Sequence, residues 1–396
     1  MLNRLLDETY PDETRRHVVA LTVARLNANA CFRFAPPFLA SISDDFGVSL
    51  GRLGLALMIT ELTMIVAPVL GSAVDRLHRR SSMAGGLLGV SAGAALAAAS
   101  PHLIVFVVAI TILSMSKLVF DVGLTSWIND HVDYARRGRV VGITETSWAL
   151  GLLVGVTLMG LVASISTWRW GYVLGACGTA SMALVLARRL GDESASPRRF
   201  EHRTRRAPSL PKRGWLVVLA MYFLMASSQA MFVTFGAWLE DEFGFGEAAI
   251  AAVAFGLGAF ELLASITSAR RTDEWGKERS AMLGAGLIVP AGVLLWFGHG
   301  HTGTGLILLA LYLLGFEFAI VSLIPVASNV IPEAPGRGLG FALGGGTLGR
   351  ATMSLVATSA YDAHGIRVPA TIGALCAAAT ITTLWWHARV SRDTSS

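Results

Sequence analysis

The stretch GSAVDRLHRR, residues 71–80, places one aspartate, three arginines and a histidine in a chain that is otherwise strongly apolar. It is flanked by the apolar runs LALMITELTMIVAPVL before it and SSMAGGLLGVSAGAALAAAS after it. A helix needs roughly 20 apolar residues to cross a bilayer, and both flanks approach that length. The charged stretch therefore indicates a short turn between two membrane-spanning helices.

The composition of the chain points to the same class of protein. Of the 396 residues, 53% are hydrophobic and only 15% are charged, whereas soluble domains average about 25% charged residues. Apolar runs of bilayer-spanning length recur throughout. The sequence predicts an all-α integral membrane protein, and it disfavours a soluble protein, which would need helices with alternating apolar and polar faces.

Breaks at charged residues, glycines and prolines divide the chain into twelve apolar segments. These segments span 17–41, 51–72, 81–99, 103–128, 139–164, 170–188, 214–239, 248–269, 281–299, 304–328, 338–360 and 366–387. If both termini are cytoplasmic, nearly all basic residues between segments lie inside, and only Arg52, Arg169 and Arg367 lie outside. The positive-inside rule therefore predicts a multi-pass protein of the cytoplasmic membrane with both termini in the cytoplasm.

The longest polar stretch separates six segments from the other six. We therefore predict a cytoplasmic N-terminal segment at 1–16, a six-helix bundle at 17–188, a cytoplasmic linker at 189–213, a second six-helix bundle at 214–388 and a cytoplasmic tail at 389–396.

An internal repeat relates the two bundles. The stretch ARRTDEWGKER at 269–279 repeats the charged turn, and Asp273 follows Asp75 by half the length of the chain. The stretches GRVVG at 138–142 and GRGLG at 336–340 are separated by the same offset. Two agreeing landmarks predict two units related by duplication, which is a transporter architecture.

These features resemble the major facilitator superfamily, whose cytoplasmic hairpins carry the motif Gly-x-x-x-Asp-Arg-x-Gly-Arg-Arg/Lys. The first hairpin matches it at Gly71, Asp75, Arg76, Arg79 and Arg80, and the second at Asp273, Gly276 and Lys277. His78 and Ala269 depart from the motif. The resemblance implies twelve transmembrane helices in two pseudo-symmetric bundles and a transporter similar to the drug/proton antiporters.

The resemblance also implies a conformational gate formed by these hairpin residues. The arginines suit the headgroup zone of the membrane, but an acid at position 75 gains little there and needs a basic partner. In the family, the matching aspartate docks on the neighbouring half and locks the outward-facing state. We expect Asp75 to have that role, with Arg79 as a partner.

The fifth segment departs from the antiporter motif Gly-x-x-x-Gly-Pro-x-x-Gly-Gly of the family. The stretch GLLVGVTLMG at 151–160 keeps Gly151 and Gly155, but Val156 occupies the proline position. Close helix packing at the two glycines is expected, whereas the signature for antiport is broken.

Charged residues inside the apolar segments are the candidates for function, because each costs a few kcal/mol in a bilayer unless it faces the interior or a water-filled cavity. The nine such residues are Arg25, Arg33, Glu61, Lys117, Asp121, Glu145, Glu261, Glu317 and Arg350. Asn29, Trp148 and Gln229 complete the candidate substrate and proton pathway, although Gln229 is also compatible with simple packing.

Two groups of candidates occupy the first half of the chain. Arg25, Asn29 and Arg33 are spaced by four residues and form one helical stripe, which the resemblance places on the translocation path. The alternative is that either arginine extends to the membrane interface. Lys117 and Asp121 can pair at i,i+4, and Glu145 is expected at a similar depth.

The cluster of Lys117, Asp121 and Glu145 has one base for two acids. One acid is then available to take up a proton, which is typical of coupling sites. A static network holding two helices together is the alternative. In the second half, Glu261, Glu317 and Arg350 lie at similar depths, so Arg350 could neutralise one acid, with a fixed ion pair as the alternative.

Motifs for enzymatic chemistry are not found in the sequence, since it has no phosphate-binding loop, nucleophile elbow or zinc spacing. We therefore expect a protein that is not an enzyme and that has no metal site or cofactor, with the proton gradient as its energy source. Its expected partners are a small-molecule substrate and the lipid bilayer, without nucleic acid, and the expected state is a monomer.

The predicted function is secondary active transport of a small amphipathic molecule by alternating access, in the form of proton-coupled efflux. One alternative is a symporter or importer of an anionic metabolite, or a lipid flippase, that uses Arg25 and Arg33. A second alternative is a membrane sensor that transports nothing.

Overall fold

A computed structural model describes residues 10, 12–64, 78–132, 137–190, 209–331 and 335–393, and no strand occurs among them. Fifteen α-helices follow one another in these ranges. They are α1 Asp12–Arg33, α2 Leu39–Phe46, α3 Leu50–Thr63, α4 Arg79–Ala98, α5 Leu103–His131, α6 Arg137–Leu150, α7 Thr157–Ala163, α8 Trp168–Arg189, α9 Gly214–Phe232, α10 Phe235–Phe243, α11 Glu247–Trp275, α12 Lys277–Gly298, α13 Thr302–Ser328, α14 Pro335–His364 and α15 Arg367–Asp393.

The outer surface of the helices is apolar. Large side chains such as Ile104, Phe297 and Leu375 are 72%, 77% and 65% exposed, and extended apolar patches of this kind are rare on soluble proteins. In the described part of the chain, nine helical stretches are long and apolar enough to cross a membrane. The surface and the helix lengths both suit a lipid environment.

The first predicted segment is interrupted, as its two prolines suggest. Helix α1 ends at Arg33, a 3-10 turn covers Pro36–Phe38, and α2 begins at Leu39. Proline lacks an N–H group and its ring clashes with the preceding turn, so Pro36 and Pro37 end the helix. The fifth predicted segment remains helical, but a π-helical turn at Gly151–Val156 joins α6 to α7.

The second half of the chain repeats the local structure of the first. Helix α9 ends at Phe232 and a short helix, α10, follows from Phe235, just as α2 follows α1. Both short helices end at a glycine in the left-handed conformation, Gly47 with φ 62° and Gly244 with φ 65°. Only glycine adopts this cap readily, so the duplication seen in the sequence extends to the backbone.

Two compact units are formed by the contacts along the chain. The first comprises Met1–Ala35, Thr63–Arg203 and Glu247–Gly258, and the second comprises Pro36–Leu62, Thr204–Gly246 and Ala259–Ser396. In the first unit α4 packs on α5 and α8, and α1 packs on α6 and α8. In the second unit α9 packs on α14 and α15, and α12 packs on α13 and α15. The bundle boundaries at 17–188 and 214–388 stay a prediction.

Candidate transport site

Four charged side chains of the first unit form one ion-paired group, which we call the charged cluster: Arg25, Lys117, Asp121 and Glu145. Arg25 on α1 contacts Asp121 through Nε at 3.1 Å and Glu145 through Nη1 at 2.7 Å. Lys117 contacts the other oxygen of Asp121 at 2.6 Å, across one turn of α5. The predicted meeting of Lys117, Asp121 and Glu145 is present, and Arg25 is the residue that joins them.

Arg25 changes the charge balance that the sequence suggested. The cluster holds two cations and two anions, so the argument for one surplus acid does not apply. The two acids differ in their access to water: the side chain of Glu145 is 56% exposed and that of Asp121 is 23% exposed. Asp121 is bound by both cations, whereas Glu145 is held by Arg25 and faces open space.

The polar stripe of α1 lies along α6. Asn29 donates to Ser147 at 3.2 Å, and Arg33 donates from Nη1 to the carbonyl oxygen of Trp148 at 2.9 Å. The guanidinium of Arg33 also lies 4.6 Å from the centre of the Trp148 ring, a cation–π distance. Arg33 is buried, and both of these contacts lie within the first unit.

Aromatic rings border the cationic side of the cluster. The ammonium group of Lys117 lies 5.4 Å from the centre of the Phe32 ring and 6.0 Å from that of Trp148. Both rings are partly exposed. The site therefore combines three cations, two anions and two accessible aromatic faces, an arrangement that suits an amphipathic ligand.

Two glycines of the π-helical turn allow α1 to approach closely. A Cβ atom at Gly155 would lie 2.3 Å from the Cβ of Ala30, and one at Gly151 would lie 2.9 Å from the Cβ of Asn29. Close packing, expected from the spacing of these glycines, therefore does occur here, and it brings the α1 stripe onto the helix that carries Glu145 and Trp148.

We expect Gly155→Ala to destabilise the protein by about 1–3 kcal/mol, because the added methyl group overpacks a filled contact. Gly142→Ala is the matched control, since a Cβ at Gly142 meets no atom within 4 Å. The free energy of unfolding in mixed detergent and SDS micelles measures both changes. Equal stability of the two variants would contradict the close contact.

In the second unit, Arg350 pairs with Glu61. Its Nε donates to Glu61 Oε1 at 3.1 Å, and its Nη2 donates to the same oxygen. The sequence suggested Glu261 or Glu317 as the partner, and the difference has a physical cause. Helices α3 and α14 run very close, since a Cβ at Gly54 would lie 1.8 Å from Thr358 Oγ1. Glu61 lies about two turns from Gly54, and Arg350 lies about two turns from Thr358, so the close contact places Glu61 opposite Arg350.

Glu261 and Glu317 are both buried, at 2% and 5% exposure. The hydroxyl group of Ser265 donates to Glu317 Oε1 at 2.8 Å. Gln229 is buried and donates to the hydroxyl group of Ser354 at 2.8 Å. This contact joins α9 to α14 and is compatible with the simple packing role considered for Gln229 in the sequence. The role of the candidate residues as a substrate and proton pathway stays a prediction.

The hairpin residues are described only in part. Gly71, Asp75 and Arg76 lie outside the described residues, as does the side chain of Asp273. Arg79 pairs with Asp130 at 2.9 Å, a contact that ties the start of α4 to the end of α5. Gly276, with φ 87°, separates α11 from α12, and this conformation explains a glycine there. Arg80 is partly buried and Lys277 is exposed.

Some polar residues of interest were missed in the sequence because they are neutral. Ser265, Ser268 and Thr272 lie on one face of α11 at i, i+3 and i+7, a spacing that could have revealed a polar stripe. Ser147 carried no such signal, and the charged Asp130 was missed because it follows the end of the predicted segment 103–128. Within the described ranges, no group of three or more His, Cys, Asp or Glu side chains is placed to hold a metal ion.

These observations define the class of protein: a multi-pass helical membrane protein with apolar outer faces and partly buried ion pairs between its apolar helices, as transport proteins have. The chain matches the family model described as Major Facilitator Superfamily over residues 21–351, and it belongs to that family. The predicted family and its transporter fold are thereby confirmed.

The similar proteins are transporters as well. The chain is 23% identical over 381 residues to "Uncharacterized MFS-type transporter YwfA" of Bacillus subtilis (strain 168), covering 92% of this chain and 89% of that protein. A bacterial homolog of the human lysosomal transporter Spinster shares the fold with a TM-score of 0.79 at 12% identity, covering 96% of this chain and 97% of that chain. The human organic anion transporter MFSD10 (TETRAN) has a TM-score of 0.68 at 20% identity, covering 94% and 100%.

Proposed function

We propose that this family member is a proton-coupled secondary transporter that moves a small amphipathic organic anion across the cytoplasmic membrane by alternating access. The proposal rests on the contact between Arg25 and Glu145, at 2.7 Å, in which the acid is more than half exposed. An exposed carboxylate inside an apolar segment needs a water-filled cavity, and its cationic partner is then within reach of a ligand.

Protonation of Glu145 provides a route for coupling. The carboxylate neutralises one side of Arg25, and a proton on Glu145 removes that charge. Arg25 Nη1 then becomes available to the acidic group of a substrate, while Nε remains on Asp121. Binding of the proton increases the affinity for the anion, and binding of the anion increases the affinity for the proton. This positive coupling is the thermodynamic basis of symport.

The surrounding residues support an amphipathic anion. Arg33 and Lys117 add positive charge near the aromatic faces of Phe32 and Trp148, so an apolar body and an acidic group can be bound side by side. A solved structure with the same fold is a human organic anion transporter, so substrates of this class are compatible with the architecture. The cytoplasmic termini and the gate at Asp75 remain parts of this proposal.

A second candidate follows from the exposure of Glu145 itself. An exposed acid also attracts an amphipathic cation, and a proton would compete with that cation for Glu145. Competition of this kind produces antiport, the efflux mechanism predicted from the sequence. The two candidates therefore differ in the charge of the substrate and in the effect of protons on its binding. Protonation increases substrate binding in the first candidate and decreases it in the second.

The test is transport in proteoliposomes with an imposed pH gradient. The probes are anilinonaphthalene sulfonate, its neutral sulfonamide and ethidium. We expect inward proton flow to drive uptake of the sulfonate and to leave the sulfonamide unaffected. Ethidium export against the proton flow, without movement of the sulfonate, would establish the second candidate and reject the first.

Glu145→Gln is the decisive variant for coupling. Glutamine imitates the protonated acid, so we expect sulfonate binding to become independent of pH and proton-driven uptake to fall by about tenfold or more, as one unit of ΔpH then contributes nothing. Arg25→Gln should abolish binding, and Arg25→Lys should retain part of it because lysine keeps the charge without the planar donor group. Binding by Glu145→Gln with the pH dependence of the natural protein would exclude Glu145 as the coupling site.

A further inference from the structure

Three buried hydroxyl groups of the second unit form a closed ring. Ser268 and Thr272 on α11 lie 2.8 Å apart, and Ser322 on α13 lies 3.0 Å from Ser268 and 2.9 Å from Thr272. The two serines are 0% exposed and the threonine is 7% exposed. We call these three residues the hydroxyl ring.

The ring differs from several other buried hydroxyl groups in the described part of the chain. Thr60, Thr179 and Thr380 donate to a carbonyl oxygen of their own helix, which satisfies the group locally. The members of the ring bind one another instead. Each hydroxyl can donate one hydrogen bond and accept others. The three hydrogen bonds can therefore run in either direction around the ring, with the same pairs of oxygens bonded in both arrangements.

A buried acid lies one helical turn from the ring. Ser265 precedes Ser268 by three residues on α11, Glu317 precedes Ser322 by five on α13, and Ser265 bonds to Glu317 at 2.8 Å. At about 1.5 Å per residue, the separation is about 4.5 Å along α11 and about 7.5 Å along α13, a gap that one or two waters can bridge. Acid and ring therefore form a row that leads toward the ends of α11 and α13 at Trp275 and Ser328.

The contact with Ser265 suits an acid that gains and loses a proton. The hydroxyl donates to the carboxylate, and after protonation it can accept from the acid, so the hydrogen bond persists in both states. Asp121 is different, since its contacts with Arg25 and Lys117 depend on its negative charge.

The charged residues around Glu317 come from few elements. Helix α11 contributes Glu261, one turn before Ser265, and α14 contributes Arg350, which binds Glu61. The last turns of α11 add Arg270 and the exposed pair of Arg271 with Glu274 beside the ring. Helix α12 has its charges in the first turn, at Lys277, Glu278 and Arg279, and α9 has no charged residue. The hydroxyl ring continues the row from Ser265 and Glu317 toward the ends of α11 and α13.

We propose that Glu317 is a second proton-binding site of this transporter, and that the hydroxyl ring relays protons between Glu317 and the predicted cytoplasmic ends of α11 and α13. In each step one hydroxyl accepts a proton and releases its own to the next, and the carboxylate at the end forms one new O–H bond. No electron transfer is involved. This site goes beyond the proposed function, which requires Glu145 alone.

The test is infrared spectroscopy of the full-length protein in liposomes, which needs no substrate. Acidification should produce a protonated carboxyl band that Glu317→Gln removes and Glu145→Gln leaves in place. After transfer into heavy water, the carboxyl group that gives this band should exchange its proton on the order of a hundredfold more slowly in Thr272→Val than in the natural protein. A factor of this size is the low end of the rate effect of a positioned proton donor. Thr272→Ser, which restores the hydroxyl, should exchange at a rate near that of the natural protein.

Thr380→Val is the matched control, since Thr380 is also buried but bonds to its own helix. It should leave the exchange rate unchanged. A spectrum that Glu317→Gln does not alter overturns the second proton site. A band that exchanges as fast in Thr272→Val as in the control overturns the relay. Neither result affects the proposed function, which fails separately if the transport assay shows no proton-driven sulfonate uptake.

Discussion

Asp121→Asn should destabilise the protein by about 3–5 kcal/mol, the usual cost of removing one partner from a buried ion pair. Asp121 lies between Arg25 and Lys117, at 3.1 Å and 2.6 Å. Asparagine has nearly the same shape but no charge, so the substitution leaves two cations facing each other across a neutral amide. The free energy of unfolding in mixed detergent and SDS micelles measures the loss.

Glu145→Gln is the matched control, because it removes an acid from the same arginine at a position that is 56% exposed. Water compensates an exposed charge, so the expected loss is below about 1 kcal/mol. The double variant Asp121→Asn/Lys117→Met should recover part of the stability, since one of the two opposed cations is gone. If Asp121→Asn is as stable as Glu145→Gln, Asp121 is not the bridge between the two cations.

The difference between these two acids also bears on mechanism. A residue that changes its charge during transport must do so without unfolding the site, and the cost of neutralising Asp121 is expected to be high. The proposed coupling assigns the proton to Glu145, whose loss of charge would release one donor of Arg25. The structure thus separates an acid that two cations bind, Asp121, from an acid that one cation binds and that is more than half exposed, Glu145.

Local patterns in the sequence predicted local geometry well. The spacing of Arg25, Asn29 and Arg33 placed them on one face of a helix, and the i,i+4 spacing of Lys117 and Asp121 predicted their contact. These predictions succeed because helical periodicity fixes which side chains lie together within a single helix.

Contacts between helices were harder to predict. Nothing in the sequence indicates that Arg25 meets Asp121 and Glu145, or that Arg350 meets Glu61, because apolar segments of similar composition give no information on which of them are neighbours. The determining features are glycines: Gly155 brings α1 close to the π-helical turn, and Gly54 brings α3 close to α14. A single sequence does not distinguish such glycines from the many others in the chain.

Arg350→Met is expected to cost about 3–5 kcal/mol as well, because the Glu61 carboxylate stays largely buried and loses the guanidinium that donates to it. The side chain of Glu61 is 11% exposed and that of Arg350 is 20% exposed, so water reaches the acid poorly. Glu61→Leu should be similarly destabilising, as it leaves the arginine without this acceptor. Unfolding in mixed micelles and the yield of monodisperse protein after heating would measure both losses.

The double variant Glu61→Leu/Arg350→Met separates stability from function. A buried ion pair replaced by apolar residues of similar size often costs nothing, so the double variant should regain most of the stability that each single variant loses. The coupling energy between the two substitutions, obtained from a double-mutant cycle, should therefore be several kcal/mol in magnitude, well above the experimental error of such a cycle. Additive losses would show that the two residues do not interact. If stability returns but sulfonate transport does not, the ion pair between α3 and α14 acts in the transport cycle, since a role in folding alone would restore both.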